Sequence, residues 1–334
     1  MSKEAPEVAL HALDNLWFQV GGTVCNLWCT HCFISCSPDN HAYGFMTLGQ
    51  VRPYLEASKR LGVKEYYFTG GEPFMNREIV DILAETLAIG PATVLTNGTV
   101  FREGDIRQLA EVERSSPYSL EFRVSIDGYS PETNDPVRGE GTFRRAMEGV
   151  RLLLRYGFLP IITAARVWDE KEDAFVQKQF VEALRAVGYD RPRLKVLPPL
   201  RLGREVARSR GYADYEQVTP EMMAGYDQGH LLCSNSRVVT DRGVHVCPIL
   251  IDSPEARLGE TLKEAMRPYP LRHRACYTCY LYGAICSNAP SRLLDPSPRP
   301  TTPPVAPMRS RPTTLPEGEG EQPCQQDKGA TQKG

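Results

Sequence analysis

Ten cysteines are the residues of this 334-residue chain whose type and spacing most clearly suggest chemistry. Cys25, Cys29 and Cys32 form a C-x3-C-x2-C segment, and Cys36 follows shortly after. So tight a group leaves little room for disulfide geometry, and structural zinc normally takes four ligands, often presented as pairs. Three thiolates on one loop suit a [4Fe-4S] cluster instead, because they ligate three irons and leave the fourth open to chelate a small molecule.

A second group of cysteines lies in the last third of the chain. Cys276 and Cys279 have the two-residue spacing that zinc and iron–sulfur sites use. Cys233 and Cys247 flank a predicted hairpin, so pairing of its strands would bring their thiols close together. These four cysteines predict a second metal centre, and thiolate ligation suits either zinc or a cluster. Cys286 could replace one ligand or be a spare thiol.

Short β-rich segments alternate with amphipathic helical patterns up to about residue 215, and they must position the first cysteine group. Six such units predict a parallel sheet with right-handed crossovers, either open and doubly wound or an incomplete barrel. In both architectures the chemistry lies in loops at the carboxyl ends of the strands. The predicted strands are Leu16–Val20, Glu65–Thr69, Thr93–Thr96, Glu121–Ile126, Leu159–Thr163 and Arg193–Leu197.

Turn and cap signals add detail to this arrangement. After about residue 215 the alternation ends, and Val238–Thr240 and Val244–Val246 predict a β-hairpin. Between the earlier strands, helices are predicted to begin at Thr47, Asn76 and Thr142 and to end at Gly62, Gly90 and Gly157.

The motifs at the strand ends resemble those of the radical S-adenosylmethionine (SAM) superfamily. Cys25, Cys29 and Cys32 match its cluster motif C-x3-C-x-aromatic-C, with His31 in the aromatic position. The resemblance covers about residues 14–215 and implies an α/β fold, a partial (β/α)6 barrel. Its other motifs are Thr69-Gly70-Gly71-Glu72-Pro73, Leu95-Thr96-Asn97-Gly98 and Val124-Ser125-Ile126-Asp127-Gly128, after the second, third and fourth strands.

The resemblance also implies roles for individual residues. Cys25, Cys29 and Cys32 would hold a [4Fe-4S] cluster that binds SAM, whereas no family role matches Cys36. Close approach of the backbone to the methionyl amino group would explain the glycines, with Glu72 as an acceptor. Asn97 and Asp127 could instead serve only as turn residues, and Arg138 lies in the loop after Asp127. The residues expected to bind SAM are His31, Gly70, Gly71, Glu72, Asn97, Ser125 and Asp127.

The region after the barrel resembles the twitch or SPASM extension, which carries auxiliary clusters in many enzymes of the superfamily. The full SPASM pattern has seven cysteines and two clusters, whereas this region has five cysteines. The resemblance therefore implies one auxiliary [4Fe-4S] cluster, which could accept an electron, anchor substrate or only stabilise the subdomain. Its ligands would be Cys233, Cys247, Cys276 and Cys279.

The activity that this resemblance implies is that of a radical SAM enzyme of the oxidoreductase or maturase type. It would cleave SAM reductively to a 5′-deoxyadenosyl radical and abstract a hydrogen atom from a peptide or small metabolite, for a net oxidation or rearrangement. An external donor such as flavodoxin or ferredoxin would supply the electron. The alternatives are an iron–sulfur scaffold or electron-transfer protein without SAM cleavage, and a zinc-stapled binding module.

Composition sets the remaining expectations. A net charge of −2 argues against nucleic-acid binding, and no apolar run approaches the roughly 18 residues of a membrane span. The N-terminus lacks a secretory signal pattern, so a cytoplasmic location is expected. Residues 290–334 hold ten of the 27 prolines and no aromatic residue, which predicts a disordered tail. The predicted organisation is a barrel over residues 10–215, an iron–sulfur subdomain over 216–289 and the tail over 290–334.

Overall fold

The structure, a computed structural model, describes residues 5–283 and 285, so Cys286 and the predicted tail lie outside the described residues. The strands are β1 (Glu7–Val8), β2 (Asn15–Phe18), β3 (Glu65–Phe68), β4 (Ala92–Thr96), β5 (Leu120–Ser125), β6 (Ile161–Ala165), β7 (Arg193–Leu197), β8 (Ser236–Thr240), β9 (Gly243–His245), β10 (Arg257–Gly259) and β11 (Tyr269–Pro270). The helices are α1 (Leu48–Leu61), α2 (Ile79–Leu87), α3 (Glu103–Ser115), α4 (Pro131–Arg138), α5 (Thr142–Arg155), α6 (Asp173–Ala186), α7 (Glu205–Arg208), α8 (Pro220–Met223), α9 (Leu262–Ala265) and α10 (Cys276–Tyr282).

One nine-stranded sheet runs in the order β10-β9-β8-β2-β3-β4-β5-β6-β7. The six strands from β2 to β7 pair in parallel, each followed by at least one helix, which confirms the predicted α/β architecture. Within the described residues the edge strands β7 and β10 do not pair, so the sheet is a partial barrel without closure. β1 and β11 form a separate antiparallel pair.

Alternating side chains of β2 and β3 divide the apolar interior into two layers. Phe18 and Phe68 stack at 5.4 Å and belong to the large core that also includes the buried faces of the helices. Trp17 and Tyr67 stack at 4.3 Å on the opposite face, in a smaller cluster that includes Cys25, Cys29 and Cys36. This inner cluster places aromatic rings against the first cysteine group, because successive side chains of a strand point to opposite faces.

Three of the predicted helix ends show how local signals succeed and fail. Thr47 caps α1 through its side chain and Gly62 ends the helix in a left-handed conformation, as predicted. The prediction that Asn76 caps α2 is wrong, because that helix begins at Ile79 after Glu78. The Asn76 amide is buried and donates instead to the Val20 and Met46 carbonyls, at 3.0 and 2.8 Å.

The chain after residue 215 continues the same sheet. β8 and β9 form the predicted antiparallel hairpin, and β8 pairs in parallel with β2 at the register Trp17 to Val238. The hairpin is thereby fixed beside the strand that leads into the first cysteine group. No helix that the structure describes is long and apolar enough to span a membrane.

Candidate functional site

A cavity of about 230 Å³ lies at the carboxyl ends of the parallel strands. Its wall is built from the ends of β3 to β7 and from the loop after β2. Most of the residues predicted to bind a cofactor line this cavity, whereas Glu72 and Asp127 do not. The predicted residues that line it are Cys25, Cys29, His31, Cys32, Gly70, Gly71, Asn97 and Ser125.

The loop after β2 carries the first cysteine group, Cys25, Cys29, Cys32 and Cys36, all free thiols. Burial raises the pKa of Cys25 to about 12. Cys36 contacts Cys32, since its backbone N–H donates to Cys32 Sγ at 3.3 Å. A hydrogen bond from the Cys36 thiol lowers the pKa of Cys32 below its usual range. The loop therefore presents all four cysteines at the cavity wall, and Cys36 is a hydrogen-bond donor to Cys32.

Arg204, which follows β7, holds the cysteine loop from outside. Its Nε donates to the Cys29 carbonyl at 2.9 Å, and its guanidinium also donates to the Cys36 carbonyl. Its backbone N–H donates to the Cys32 carbonyl at 3.1 Å. The guanidinium carbon lies 5.5 Å from the centre of the Trp28 ring. One arginine thus contacts the loop from Trp28 to Cys36 and fixes its course.

The Glu72 carboxylate is completely buried and is satisfied by protein donors. One oxygen accepts from the Thr96 hydroxyl at 2.7 Å and the Phe74 N–H at 3.0 Å, and the other accepts from the Asn97 N–H at 2.7 Å. Burial raises the pKa of Glu72, and the hydrogen bonds act in the opposite direction. Glu72 therefore ties the loop after β3 to the loop after β4, and its contact with SAM stays a prediction.

Gly71 packs directly against the cysteine loop. Its N–H donates to the Gly22 carbonyl at 2.9 Å. A Cβ at this position would stand 1.9 Å from the Val24 carbonyl oxygen and 2.9 Å from the Cys25 nitrogen. The neighbouring Gly70 has φ +137°, a backbone conformation that L side chains rarely adopt. The immediate need for these glycines is thus contact between two backbone segments, a reason different from the expected approach to SAM.

Asp127 connects three parts of the site from behind the cavity wall. One oxygen lies 2.6 Å from Arg138 Nε and 2.9 Å from His31 Nε2, and the other accepts from the Ala165 N–H at 2.7 Å. Burial raises the pKa of Asp127, but the charges of Arg138 and His31 lower it by more. The pKa of Asp127 therefore lies well below its usual range. The ionised carboxylate therefore links the cysteine loop to the ends of β5 and β6.

Asn97 and Ser125 lie on the cavity wall itself. The Asn97 side chain donates to Asn26 Oδ1 at 2.9 Å and lies 3.8 Å from Cys25 Sγ. The side-chain oxygen Oδ1 of Asn97 accepts from the Thr99 N–H at 2.9 Å, so Asn97 also shapes the turn after β4. Ser125, Thr163 and Lys195 pair in register on β5, β6 and β7, and all three line the cavity.

The second cysteine group comes together in an apolar pocket beyond the hairpin. Cys233, Cys247, Cys276 and Cys279 are all buried and all line this pocket. Burial raises the pKa of Cys233 to about 12 and that of Cys247 to about 11. Within the described residues, no three His, Cys, Asp or Glu side chains converge closely enough to hold one metal ion.

Two arginines near the cysteines were missed by the sequence analysis. Arg204 lies far along the chain from the loop that it holds, and no motif surrounds it. Arg237 lies in β8, is completely buried, and donates to the Cys233 carbonyl at 2.7 Å. Burial lowers the pKa of Arg237 to about 10. A charged residue directly before the predicted strand Val238–Thr240 was the only available signal for Arg237.

Comparison with known sequences finds one matching family model. A model described as the Radical SAM superfamily matches residues 20–168. The chain is similar to a GTP 3′,8-cyclase of Pectobacterium atrosepticum, at 29% identity over 41% of this chain and 42% of the relative. It is 30% identical to a GTP 3′,8-cyclase of Photorhabdus laumondii, over 48% of this chain and 52% of the relative. The chain thus spans about half the length of these curated relatives.

A further relative and two solved structures extend the comparison. An AdoMet-dependent heme synthase of Oleidesulfovibrio alaskensis is 29% identical over 40% of this chain and 33% of the relative. Native anSMEcpe with bound AdoMet has a TM-score of 0.57 at 17% identity, over 80% of this chain and 83% of that one. Streptococcus suis SuiB bound to S-adenosylmethionine has a TM-score of 0.54 at 15% identity, over 74% and 63% of the two chains. At these identities the structures establish a shared fold.

Proposed function

We propose that this chain, whose residues 20–168 match the Radical SAM superfamily model, is a radical SAM enzyme that cleaves SAM reductively and abstracts a hydrogen atom from its substrate. The family implies a [4Fe-4S] cluster and SAM as cofactors. When bound together, these cofactors supply a 5′-deoxyadenosyl radical. The observation that carries the proposal is that the four cysteines of one loop line the same cavity as Gly71, Asn97 and Ser125.

In this proposal Cys25, Cys29 and Cys32 are the ligands of the SAM-binding cluster. The donor set fits, because these three free thiols have the family's spacing, line the cavity and would leave one iron position for a small molecule. Cys36 lines the same cavity but lies outside that spacing. His31, Gly70, Gly71, Asn97 and Ser125 would form the SAM site at the same wall. Glu72 and Asp127 would act from behind it, holding the loops in place.

The protein's own contribution is to position these groups and exclude water from the radical. Arg204 and the Asp127–His31 contact hold the cysteine loop at two sides. Burial raises the pKa of Cys29, and the buried positive charge of Arg138 nearby acts in the opposite direction. These contacts favour a rigid loop whose thiols can be held as thiolates.

Replacing Gly71 with alanine should lose most of the iron bound by the first cysteine group. The new Cβ would collide with the Val24 carbonyl and displace the Cys25 backbone, at a cost of about 1–3 kcal/mol in the free energy of unfolding. Iron per chain and the thermal unfolding midpoint measure the effect. Gly104→Ala in α3 is the matched control, because nothing lies within 4 Å of its added Cβ. Equal iron loading in the two variants would contradict the prediction.

We further propose a second, auxiliary [4Fe-4S] cluster ligated by Cys233, Cys247, Cys276 and Cys279. Four buried thiols line one apolar pocket, which fits thiolate ligation of a cluster. Zinc would instead need all four sulfurs at about 2.3 Å from a single ion. Pro248, directly after Cys247, lines the larger cavity, so the auxiliary site borders the proposed substrate space. That position suits uptake of an electron from the substrate, which would make the reaction an oxidation.

The substrate we propose is a peptide or a small metabolite. The relatives support both classes, since two are named for the cyclisation of GTP and S. suis SuiB has been solved with the precursor peptide SuiA. An external one-electron donor, such as flavodoxin or ferredoxin, would reduce the first cluster.

Anaerobic incubation of the iron-loaded protein with SAM and dithionite tests the proposed function. We expect about eight irons per chain, as two cubane clusters require. We also expect 5′-deoxyadenosine to form, measured by chromatography and mass spectrometry. Zinc in the first site, or no 5′-deoxyadenosine from protein with its full iron content, would overturn the proposal.

A further inference from the structure

Arg237 is a completely buried cation beside the second cysteine group. Its guanidinium donates to four backbone carbonyls. The Cys233 and Ser236 oxygens lie at 2.7 Å from Nη1, the Ala265 oxygen at 2.9 Å from Nε and the Arg267 oxygen at 2.7 Å from Nη2. These bonds use four of the five N–H donors of the side chain, and every acceptor is neutral.

The other buried arginines are compensated by carboxylates. Arg123 Nε lies 3.1 Å from a Glu121 oxygen, and Arg138 Nε lies 2.6 Å from Asp127. Among the residues that the structure describes, no carboxylate lies within 4 Å of the Arg237 nitrogens. Because a buried charge without a counter-ion is costly, negative charge close by would stabilise this arginine.

The second cysteine group supplies that negative charge once it binds metal. Cys233 is joined to Arg237 through its own carbonyl, and Cys233 shares its pocket with Cys247, Cys276 and Cys279. As thiols these side chains are neutral, and only metal ligation makes all four thiolates in so apolar a pocket. The buried cation and the four thiols therefore complement each other only in the metal-bound state.

We propose that Arg237 is the fixed countercharge of the auxiliary centre and raises its one-electron reduction potential. This inference rests on the proposed function, since it takes the second cysteine group to hold a [4Fe-4S] cluster. A four-thiolate cluster is anionic, and adding one electron increases its negative charge. A cation in a low-dielectric interior stabilises the reduced state more than the oxidised state. The auxiliary centre is thereby suited to accept an electron.

A redox titration with Arg237→Gln and Arg237→Lys tests this role. The titration uses full-length protein with Cys25, Cys29 and Cys32 all changed to alanine, so that only the auxiliary centre remains. At the potential where the parent is half reduced, we expect the reduced-to-oxidised ratio in Arg237→Gln to fall about tenfold, a shift of about 59 mV for one electron. Arg237→Lys keeps the charge and should keep most of the potential. Electron paramagnetic resonance measures the reduced fraction.

The matched control is Arg267→Gln. The Arg267 side chain carries the same charge nearby but is exposed, so solvent and salt screen it and the ratio should change little. Arg237→Gln with full iron content and an unchanged potential would overturn the inference, as would a folded Arg237→Lys that binds no iron. Loss of iron in Arg237→Gln with retention in Arg237→Lys would support it. Zinc, or no metal, in the parent protein would instead contradict the auxiliary cluster of the proposed function.

Discussion

Replacing Cys29 with alanine should abolish the formation of 5′-deoxyadenosine from SAM. Cys25, Cys29 and Cys32 stand on one loop at the cavity wall, and each would ligate a different iron of the same cluster. Removing one thiolate leaves two ligands, too few to hold the cluster and keep one iron free for SAM. Anaerobic assay with SAM and dithionite measures the product, and the absorption spectrum of the purified protein reports the cluster. The expected effect is loss of the product to the level of a protein-free control.

Cys36→Ala is the matched control for this prediction. Cys36 is buried beside Cys32, but the hydrogen bond from its backbone N–H to Cys32 Sγ remains in the alanine variant. The spectrum of the first cluster should therefore stay intact, although the thiol donor that favours the Cys32 thiolate is lost. Retained SAM cleavage in Cys29→Ala, or its loss only in Cys36→Ala, would show that the three ligands have been assigned wrongly.

Changing Cys276 and Cys279 together to alanine should halve the iron content and leave SAM cleavage measurable. Both residues lie on α10 and line the pocket of the second cysteine group, whereas the SAM site is built from the loops after β2 to β5. The two sites use separate elements, so losing the auxiliary cluster should not remove the first. Iron analysis and 5′-deoxyadenosine formation without substrate measure the two expectations.

Folding must be checked first in the double variant. Metal ligation would stabilise the region around the second cysteine group, so its loss should lower the stability of this region as well as its iron content. Circular dichroism establishes that the variant is folded, and Tyr282→Ala, at an exposed position on the same helix, should change neither iron nor fold. Full iron content in the folded double variant would exclude these two ligands. Cys286, which lies outside the described residues, would then be the alternative.

The architecture could be predicted from the sequence because its signals are local. Each predicted strand from Leu16–Val20 to Arg193–Leu197 overlaps an observed strand of the parallel sheet. Apolar runs and helix caps depend on a few neighbouring residues, as Thr47 and Gly62 at the ends of α1 illustrate. Asn76 failed as a cap because its amide has distant partners, the carbonyls of Val20 and Met46. Long-range hydrogen bonds of this kind leave no trace in local sequence.

The sequence by itself determined which residue types could do chemistry: three cysteines at a fixed spacing, the glycine-rich segment after β3 and a later group of cysteines. Only the tertiary structure decided what surrounds them. It placed Arg204 on the cysteine loop, Gly71 against Val24 and the buried Arg237 beside Cys233. The physical reason is that the spacing of residues along the chain determines which cysteines can bind one metal centre and which segments form strands or helices. Charge compensation and close packing depend instead on the strand register between segments that are far apart in sequence.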